Sequence, residues 1–169
     1  MYTLQQQLKY NLWSTEILAG MLTDLSDEQW EQELVSSFPT IKLTVYHIWD
    51  AQSIWLHRIK GGEVAVWPST QFTGTKAECI NGFVLSAQNL VDFFADKDSA
   101  FLETKLHYKN MKMMEYTTPI EEIMFHTVNH ATHHRGQIYT MLRQVGLTQL
   151  ENSDLITYVR SLNTITTQS

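Results

Sequence analysis

Four long segments of the sequence repeat apolar residues at the spacing of an amphipathic helix. They run from Thr3 to Leu25, from Ile41 to Ile59, from Thr75 to Asp96 and from Pro119 to Val145. In each segment apolar residues return every three or four positions, and proline is absent from the interior. Each such helix must bury its apolar face against another element. The pattern therefore predicts an all-α fold, a helix bundle, in one domain spanning residues 1–169.

Capping signals predict where several of these helices begin and end. The segments Ser26–Gln29 and Thr75–Glu78 both have the form of a capping box, and the first predicts a short helical turn around Trp30. Thr118–Glu121 forms a third such box, with proline at the first helical position. Gly146 then ends the fourth helix. We therefore expect Thr118 to cap the helix that follows it.

The remaining segments lack a long helical pattern. Gly61 to Thr75 is rich in Gly, Ser, Thr and Pro and predicts a long loop that lines a pocket. Phe101 to Thr117 has no helical period, and Lys109-Asn110 suits the tip of a small hairpin. A short extra helix is expected near the C-terminus, in "SDLITYVRSLN".

Charge and hydropathy exclude several classes of partner. The formal net charge is -6 and no cluster of lysine and arginine is present, which argues against nucleic acid and anionic lipid. No apolar run is long enough to span a bilayer, and the N-terminal residues lack a secretory signal pattern, so we expect a cytoplasmic protein. Cys79 is the single cysteine, and we interpret it as a packing residue. Any metal would therefore be held by nitrogen and oxygen ligands.

Three of the seven histidines fall within five positions of the fourth helix. On a helical wheel His134 lies inside the apolar arc and His130 at its edge, while His126 and His133 lie further round. Residues four apart have Cβ atoms about 5–6 Å apart, close enough for two imidazoles to bind one ion. His130 and His134 are thus half of a candidate metal site.

A third ligand would have to come from another segment. His47 shares a stripe of the second helix with Leu43, Ala51, Ile54 and Arg58. His57 points away from that stripe, and His107 lies in the non-helical segment. His47 is the better candidate. Hydrogen-bonded or solvated structural imidazoles remain the alternative, although imidazoles pressed into an apolar arc need partners that a divalent ion would supply.

Other catalytic patterns are missing from the sequence. It contains no His-Glu-x-x-His zincin motif, no repeated Glu-x-x-His of the diiron bundles and no Gly-x-Ser-x-Gly nucleophile elbow. These absences disfavour a metalloprotease, a diiron oxygenase and a serine hydrolase.

Three motifs together resemble the DinB/YfiT-like family of candidate metalloenzymes. They are "SFPTIKLTVYHIWDAQSIWLHRIKG", "HTVNHATHHRGQI" and "SDLITYVR", and the resemblance covers about Asn11 to Arg160. It implies an up-down-down-up four-helix bundle, commonly a homodimer, with a divalent metal ion held by His47, His130 and His134. The metal in such proteins is zinc, nickel or another divalent ion, and some relatives resemble transferases that use low-molecular-weight thiols.

These residues lead to a hypothesis for the reaction. Three neutral imidazoles leave a divalent ion with its full charge and an open position, where a small thiol or water becomes nucleophilic at neutral pH. The substrate would be a small electrophilic molecule in a pocket walled by Trp55, Trp67 and the loop after Gly62. His126 would relay a proton, and Arg58 or Arg135 would contact an anionic group.

Two structural alternatives stay open. Arg58 and Arg135 could simply pair with carboxylates such as Asp50 or Asp154. The protein could also be non-catalytic, with a metal that only holds the bundle together. A fourth protein ligand closing the site would favour that second alternative.

Overall fold

The computed structural model describes residues 3–62, 67–110 and 112–166. This part of the chain contains eight helices and one two-stranded hairpin. In chain order they are α1 (Leu4–Thr23), α2 (Asp27–Glu31), α3 (Ile41–Ile59), α4 (Pro68–Gln71), α5 (Lys76–Phe94), α6 (Ser99–Glu103), β1 (Lys105–Lys109), β2 (Glu115–Pro119), α7 (Ile120–Gln144) and α8 (Leu155–Thr166). Part of the predicted pocket loop, residues 63–66, lies outside the described residues. Within the described ranges, no helix is both long and apolar enough to cross a membrane.

The four long helices α1, α3, α5 and α7 form a four-helix bundle, as predicted. Around the bundle the packing order is α1, α5, α3, α7 and back to α1. One apolar cluster joins the end of α1 and the end of α7 to the starts of α3 and α5. A second cluster joins the opposite ends of the same helices. The helices therefore run up, down, down and up, which confirms the predicted topology.

A buried polar chain crosses the bundle between these two apolar clusters. The guanidinium of Arg135 on α7 donates to Oδ1 of Asn11 on α1 over 2.6 Å, and Nδ2 of Asn11 donates to Oε1 of Gln52 on α3 over 2.7 Å. Nε2 of Gln52 in turn donates to Oγ of Ser86 on α5 over 3.1 Å. All four side chains are at most 4% exposed. These hydrogen bonds link all four long helices, and a satisfied buried network of this kind favours one relative height for them.

Two of the three predicted capping boxes are confirmed. Ser26 caps α2 with Gln29, and Thr75 caps α5 with Glu78. The expectation that Thr118 caps α7 is wrong, because Thr118 belongs to strand β2 and the N-cap residue is Pro119, which makes no side-chain capping bond. Pairing with β1 extends β2 as far as Pro119, so α7 begins at Ile120, one residue later than the sequence predicts.

The hairpin lies where the sequence predicts it, before α7. Strands β1 and β2 are antiparallel, with Tyr108 opposite Tyr116. Asn110 closes the turn, because its Oδ1 accepts hydrogen bonds from the backbone N–H groups of Lys112 and Met114. Lys109 is the last paired residue, so the turn begins at Asn110. The hairpin contacts α3 and the start of α7, and it stands beside the C-terminal end of α3.

Candidate metal centre

The side chains of His47, His130 and His134 converge between α3 and α7. One ring nitrogen from each lies within 4.8 Å of those of the other two. Nε2 of His47 and Nε2 of His130 are 2.8 Å apart. The ring centroid of His134 is 4.6 Å from the ring centroid of His47 and 4.5 Å from that of His130. The antiparallel packing of α3 and α7 brings the three together. In the described ranges no other group of histidines, cysteines and carboxylates has this spacing.

The cluster holds its imidazoles in the neutral form. Burial, and then the neighbouring His134, lower the pKa of His47 from 6.5 to about 4. Burial is also the main reason that the pKa of His130 falls to about 3, with the other histidines adding to the effect. The pKa of His134 is lowered as well, again by burial. Neutral imidazoles have the free lone pairs that metal ligation requires.

His130 is incompletely satisfied within the described part of the chain. Its Nδ1 atom is buried and has no hydrogen-bond partner there. The other ring nitrogen of His130, Nε2, faces His47, and the three neutral imidazoles together fit the donor set of a divalent ion. An ion bound at about 2.0–2.1 Å would keep two tetrahedral ligand atoms roughly 3.3 Å apart, so the rings of His47 and His130 must separate by roughly half an ångström to accept one.

Gln137 orients the imidazole of His134, a role that was not predicted from the sequence. Its Oε1 lies 2.8 Å from Nδ1 of His134. Because an amide oxygen only accepts hydrogen bonds, Nδ1 carries the proton and Nε2 of His134 keeps its lone pair. The amide nitrogen of Gln137 donates to Oγ of Ser37 over 2.9 Å and lies 3.2 Å from Nε2 of His133. The three-residue spacing from His134 was the available signal for Gln137.

Phe38 covers one side of the cluster and was also missed. Its ring centroid is 4.3 Å from that of His47 and 5.7 Å from that of His134. Phe38 precedes Pro39 in the connection between α2 and α3, and the Thr40 side chain accepts the Leu43 N–H to start α3. The ring shields the histidines from water and contributes to the burial that keeps them neutral.

His126 and His133, the two other histidines of α7, do not belong to the three-histidine cluster. His126 is exposed, but its ring centroid is only 5.8 Å from that of His130 and 6.3 Å from that of Trp55, so it borders the cluster. His133 is exposed, as predicted for a residue that faces away. Cys79 is buried at 1% exposure, as expected for a packing residue, and burial raises the pKa of its thiol to about 12.

Arg58 and Arg135 lie apart from the cluster and apart from each other. Arg58 is near the end of α3 and stacks on Trp55, with its Cζ atom 4.9 Å from the ring centroid. Arg135 is only 3% exposed and points toward α1, where it binds Asn11. The structure brings neither guanidinium to the three histidines. A substrate contact at the metal therefore stays a prediction for both arginines.

The alternative pairing of these arginines with carboxylates does not occur among the described residues. Asp50 instead accepts hydrogen bonds from the backbone N–H and the hydroxyl of Ser69, over 2.9 and 2.5 Å. Asp154 begins the turn into α8, where its backbone carbonyl accepts from Thr157 and Tyr158.

Of the residues expected to wall the substrate pocket, Trp67 and Gly62 line a cavity at the hairpin end of α3, whereas Trp55 is not among its described lining residues. The cavity has a volume of about 840 Å³ and is also lined by Arg58 and residues of the hairpin. Trp55 lies behind Arg58, between this cavity and His126.

Comparison with known proteins bears on the fold and on the family of this chain. The curated Protein DinB of Bacillus subtilis (strain 168) is 28% identical over 145 residues, which are 82% of this chain and 83% of the relative. The crystal structure of a DinB-like protein from Bacillus cereus ATCC 10987 superposes with a TM-score of 0.69 at 22% identity, covering 90% of this chain and 99% of the other.

A second solved structure, the DinB-like protein YjoA from Bacillus subtilis, superposes with a TM-score of 0.67 at 14% identity and covers 88% of this chain and 98% of the other. At these identities the two solved structures establish the fold. The family itself follows from the match of residues 1–161 to the model of the DinB family. This chain, with its four-helix bundle and its cluster of three histidines, belongs to the DinB family.

Proposed function

We propose that this protein is a metal-dependent enzyme, in which His47, His130 and His134 hold a divalent ion. Zinc and nickel are the metals that best fit a set of imidazole ligands. The observation that carries the proposal is the convergence of three neutral, partly buried imidazoles with no fourth protein ligand beside them in the described ranges. Catalytic sites keep such an open position, whereas structural sites close it.

The reaction we propose is transfer of a small thiol, or of water, to a small electrophilic substrate. When bound, the ion supplies a Lewis acid that lowers the pKa of a thiol or water at its open position. In the transferase reaction a carbon–sulfur bond forms and the bond to a leaving group, such as chloride, breaks. A low-molecular-weight thiol is thus the proposed second substrate.

The chain's own residues have distinct tasks in this proposal. His134 presents its Nε2 lone pair because its Nδ1 proton is held by Gln137. Phe38 excludes water from one side of His47. The imidazole of His126, 5.8 Å from His130, takes up the proton that the thiol or water loses.

Metal content tests the ligand set. Protein purified without a nickel column should contain a divalent metal that is lost in His47→Ala and in His134→Ala. His57→Ala, which changes an exposed histidine of α3, is the matched control and should keep the metal. If both ligand variants retain the wild-type metal content, the three-histidine site is wrong.

Activity separates the enzyme from a bundle with a merely structural metal. We expect metal-dependent conjugation when the protein is incubated with a small thiol and a panel of chloro-aromatic compounds and epoxides. His126→Ala should lower the rate and leave the metal content unchanged. If the metal raises the melting temperature but the protein neither conjugates nor hydrolyses any compound of the panel, the structural alternative is favoured.

The quaternary structure is a separate proposal. We propose a homodimer, as the resemblance to the family implies. Light scattering at micromolar concentration should give about twice the chain mass, and a monomer would contradict this expectation.

A further inference from the structure

A large cavity lies between the C-terminal end of α3 and the hairpin. Its volume of about 840 Å³ is in the range of small-molecule binding sites. None of the three clustered histidines lines it. Arg58, which does, follows His47 by eleven residues on α3, a separation of about 16 Å along the helix axis. The cavity is therefore a different place from the candidate metal centre.

The guanidinium of Arg58 is held in a fixed orientation at the edge of this cavity. Its Cζ atom is 4.9 Å from the ring centroid of Trp55 and 5.6 Å from that of Tyr108. Its Nη2 donates to the backbone carbonyl of Lys109 over 3.2 Å. Stacking on two rings and one hydrogen bond set the plane of the group. The remaining N–H donors of Arg58 are thus already positioned before a ligand arrives.

The charge of Arg58 is not neutralised by the described part of the protein. No carboxylate there lies within 4 Å of it. The cavity has one acidic lining residue among those described, Glu115, and its carboxylate lies 3.1 Å from Nζ of Lys109. A planar guanidinium with free donors matches the oxygens of a carboxylate, sulfonate or phosphate.

Aromatic and apolar side chains form one part of the cavity wall, beside the polar or charged residues His107, Lys109, Asn110, Glu115 and Thr117. Tyr108 and Tyr116 are stacked across the hairpin, with ring centroids 5.8 Å apart and planes inclined by 22°. Trp67 and Leu106 also line the cavity. Tyr116 is 42% exposed and Met113, at the rim, is 70% exposed. Such exposed apolar surface beside a cavity is suited to a flat ring.

We propose that this cavity binds a planar organic anion, such as an aromatic carboxylate. Arg58 receives the anionic group, and Tyr116 and Trp67 contact the ring. The binding itself does not depend on the metal. That the cavity holds the non-reacting end of a substrate rests on the function proposed above. His126 and Trp55 connect the metal centre to Arg58 by successive ring contacts, which supports this use.

Two ligands of equal shape and different charge test the proposal. Protein treated with a chelator is titrated calorimetrically with 2-naphthoate and with the neutral 2-naphthamide. We expect naphthoate to bind about tenfold more tightly. Arg58→Gln should remove that preference. The matched control is Arg143→Gln, an exposed arginine on α7 that lines a different cavity and should leave the preference unchanged.

Further variants keep the result interpretable. Tyr116→Ala, at an exposed position, should weaken both ligands by a similar factor. If Arg58→Gln loses its helical circular dichroism, Arg58→Lys replaces it, and the preference should then fall because the fork of donors is lost. His47→Ala should bind naphthoate as tightly as the wild type does. Loss of metal binding would therefore not be mistaken for loss of binding in this cavity. Equal affinity for the two ligands, absence of binding at millimolar concentration, or an unchanged preference in the arginine variants would overturn the proposal.

Discussion

Nδ1 of His134 and Oε1 of Gln137 lie 2.8 Å apart, so the protein itself decides which nitrogen of this imidazole is free. The contact spans one helical turn of α7, and the same amide reaches Ser37 in the connection before α3. A hydrogen bond behind a ligand commonly tunes metal affinity as strongly as a change in ligand geometry does. This relationship leads to the first prediction.

Replacement of Gln137 by leucine should weaken metal binding by about 10-fold to 100-fold. The leucine removes the acceptor that fixes the tautomer of His134, and the imidazole can then protonate Nε2 instead. Competition with a fluorescent chelator measures the change in Kd. Gln144→Leu is the matched control, because Gln144 is exposed at the end of the same helix. Equal affinity in the Gln137 variant and the wild type would show that the hydrogen bond does not position the ligand.

Metal-free protein should lose stability as the pH falls below 6.5. The folded pKa values of His47 and His130 are about 4 and about 3, below the ordinary 6.5. Between these values the unfolded chain binds more protons than the folded chain, so the free energy of unfolding decreases with decreasing pH. Above pH 6.5 this contribution is fully present, and it is lost as the pH falls toward 4 and then 3.

Melting temperatures measured in a chelator from pH 7.5 to 4 test this dependence. The double variant His47→Gln, His130→Gln should show a flatter curve than the wild type. His133→Gln, which changes an exposed histidine, should not. A wild-type curve as flat as that of the double variant would contradict the lowered pKa values.

The fold and the candidate metal centre could be predicted from the sequence to the extent that they depend on interactions between residues close together along the chain. The bounds of α3 are predicted correctly because Thr40 and the apolar period are local signals. His130 and His134 could be paired by helical geometry alone. His47 required the antiparallel packing of α3 on α7, and its choice over His57 followed from the stripe it shares, together with the family resemblance.

Among the missed features, Gln137 lies one helical turn from His134, but the position of Phe38 and the failure of Thr118 as a cap depend on contacts between separate segments. Phe38 reaches His47 only because the connection before α3 folds back over the bundle. Thr118 fails as a cap because β1 pairs with its strand. Arg135 follows His134 directly, and one residue turns a helix by about 100°, so its guanidinium faces α1 and not the cluster. The direction of Arg135 thus follows from helical geometry, whereas no local pattern predicts the positions of Phe38 and Thr118.

Cys79 should be inert in the folded protein. Its side chain is 1% exposed, and burial raises the pKa of the thiol to about 12, so almost no thiolate is present at neutral pH. Ellman's reagent at pH 8 should label the native protein very slowly and then titrate one thiol per chain in urea. Rapid labelling of native protein would contradict the burial and would reopen the question of a nucleophilic cysteine.

Replacement of Asn11 by alanine should destabilise the bundle by about 2–3 kcal/mol, because Arg135 loses a buried partner of its charge. Oε1 of Gln52 loses its hydrogen-bond donor at the same time, which adds to the effect. Urea unfolding followed by circular dichroism measures the difference, with Asn89→Ala on the exposed side of α5 as the control. Metal content should stay at the wild-type level in folded Asn11→Ala, because the polar chain contains none of the three clustered histidines. Surface substitutions usually change the free energy of unfolding by less than about 0.5 kcal/mol. A change of only that size in Asn11→Ala would mean that the hydrogen bonds from Arg135 through Asn11 and Gln52 to Ser86 do not set the register of the helices.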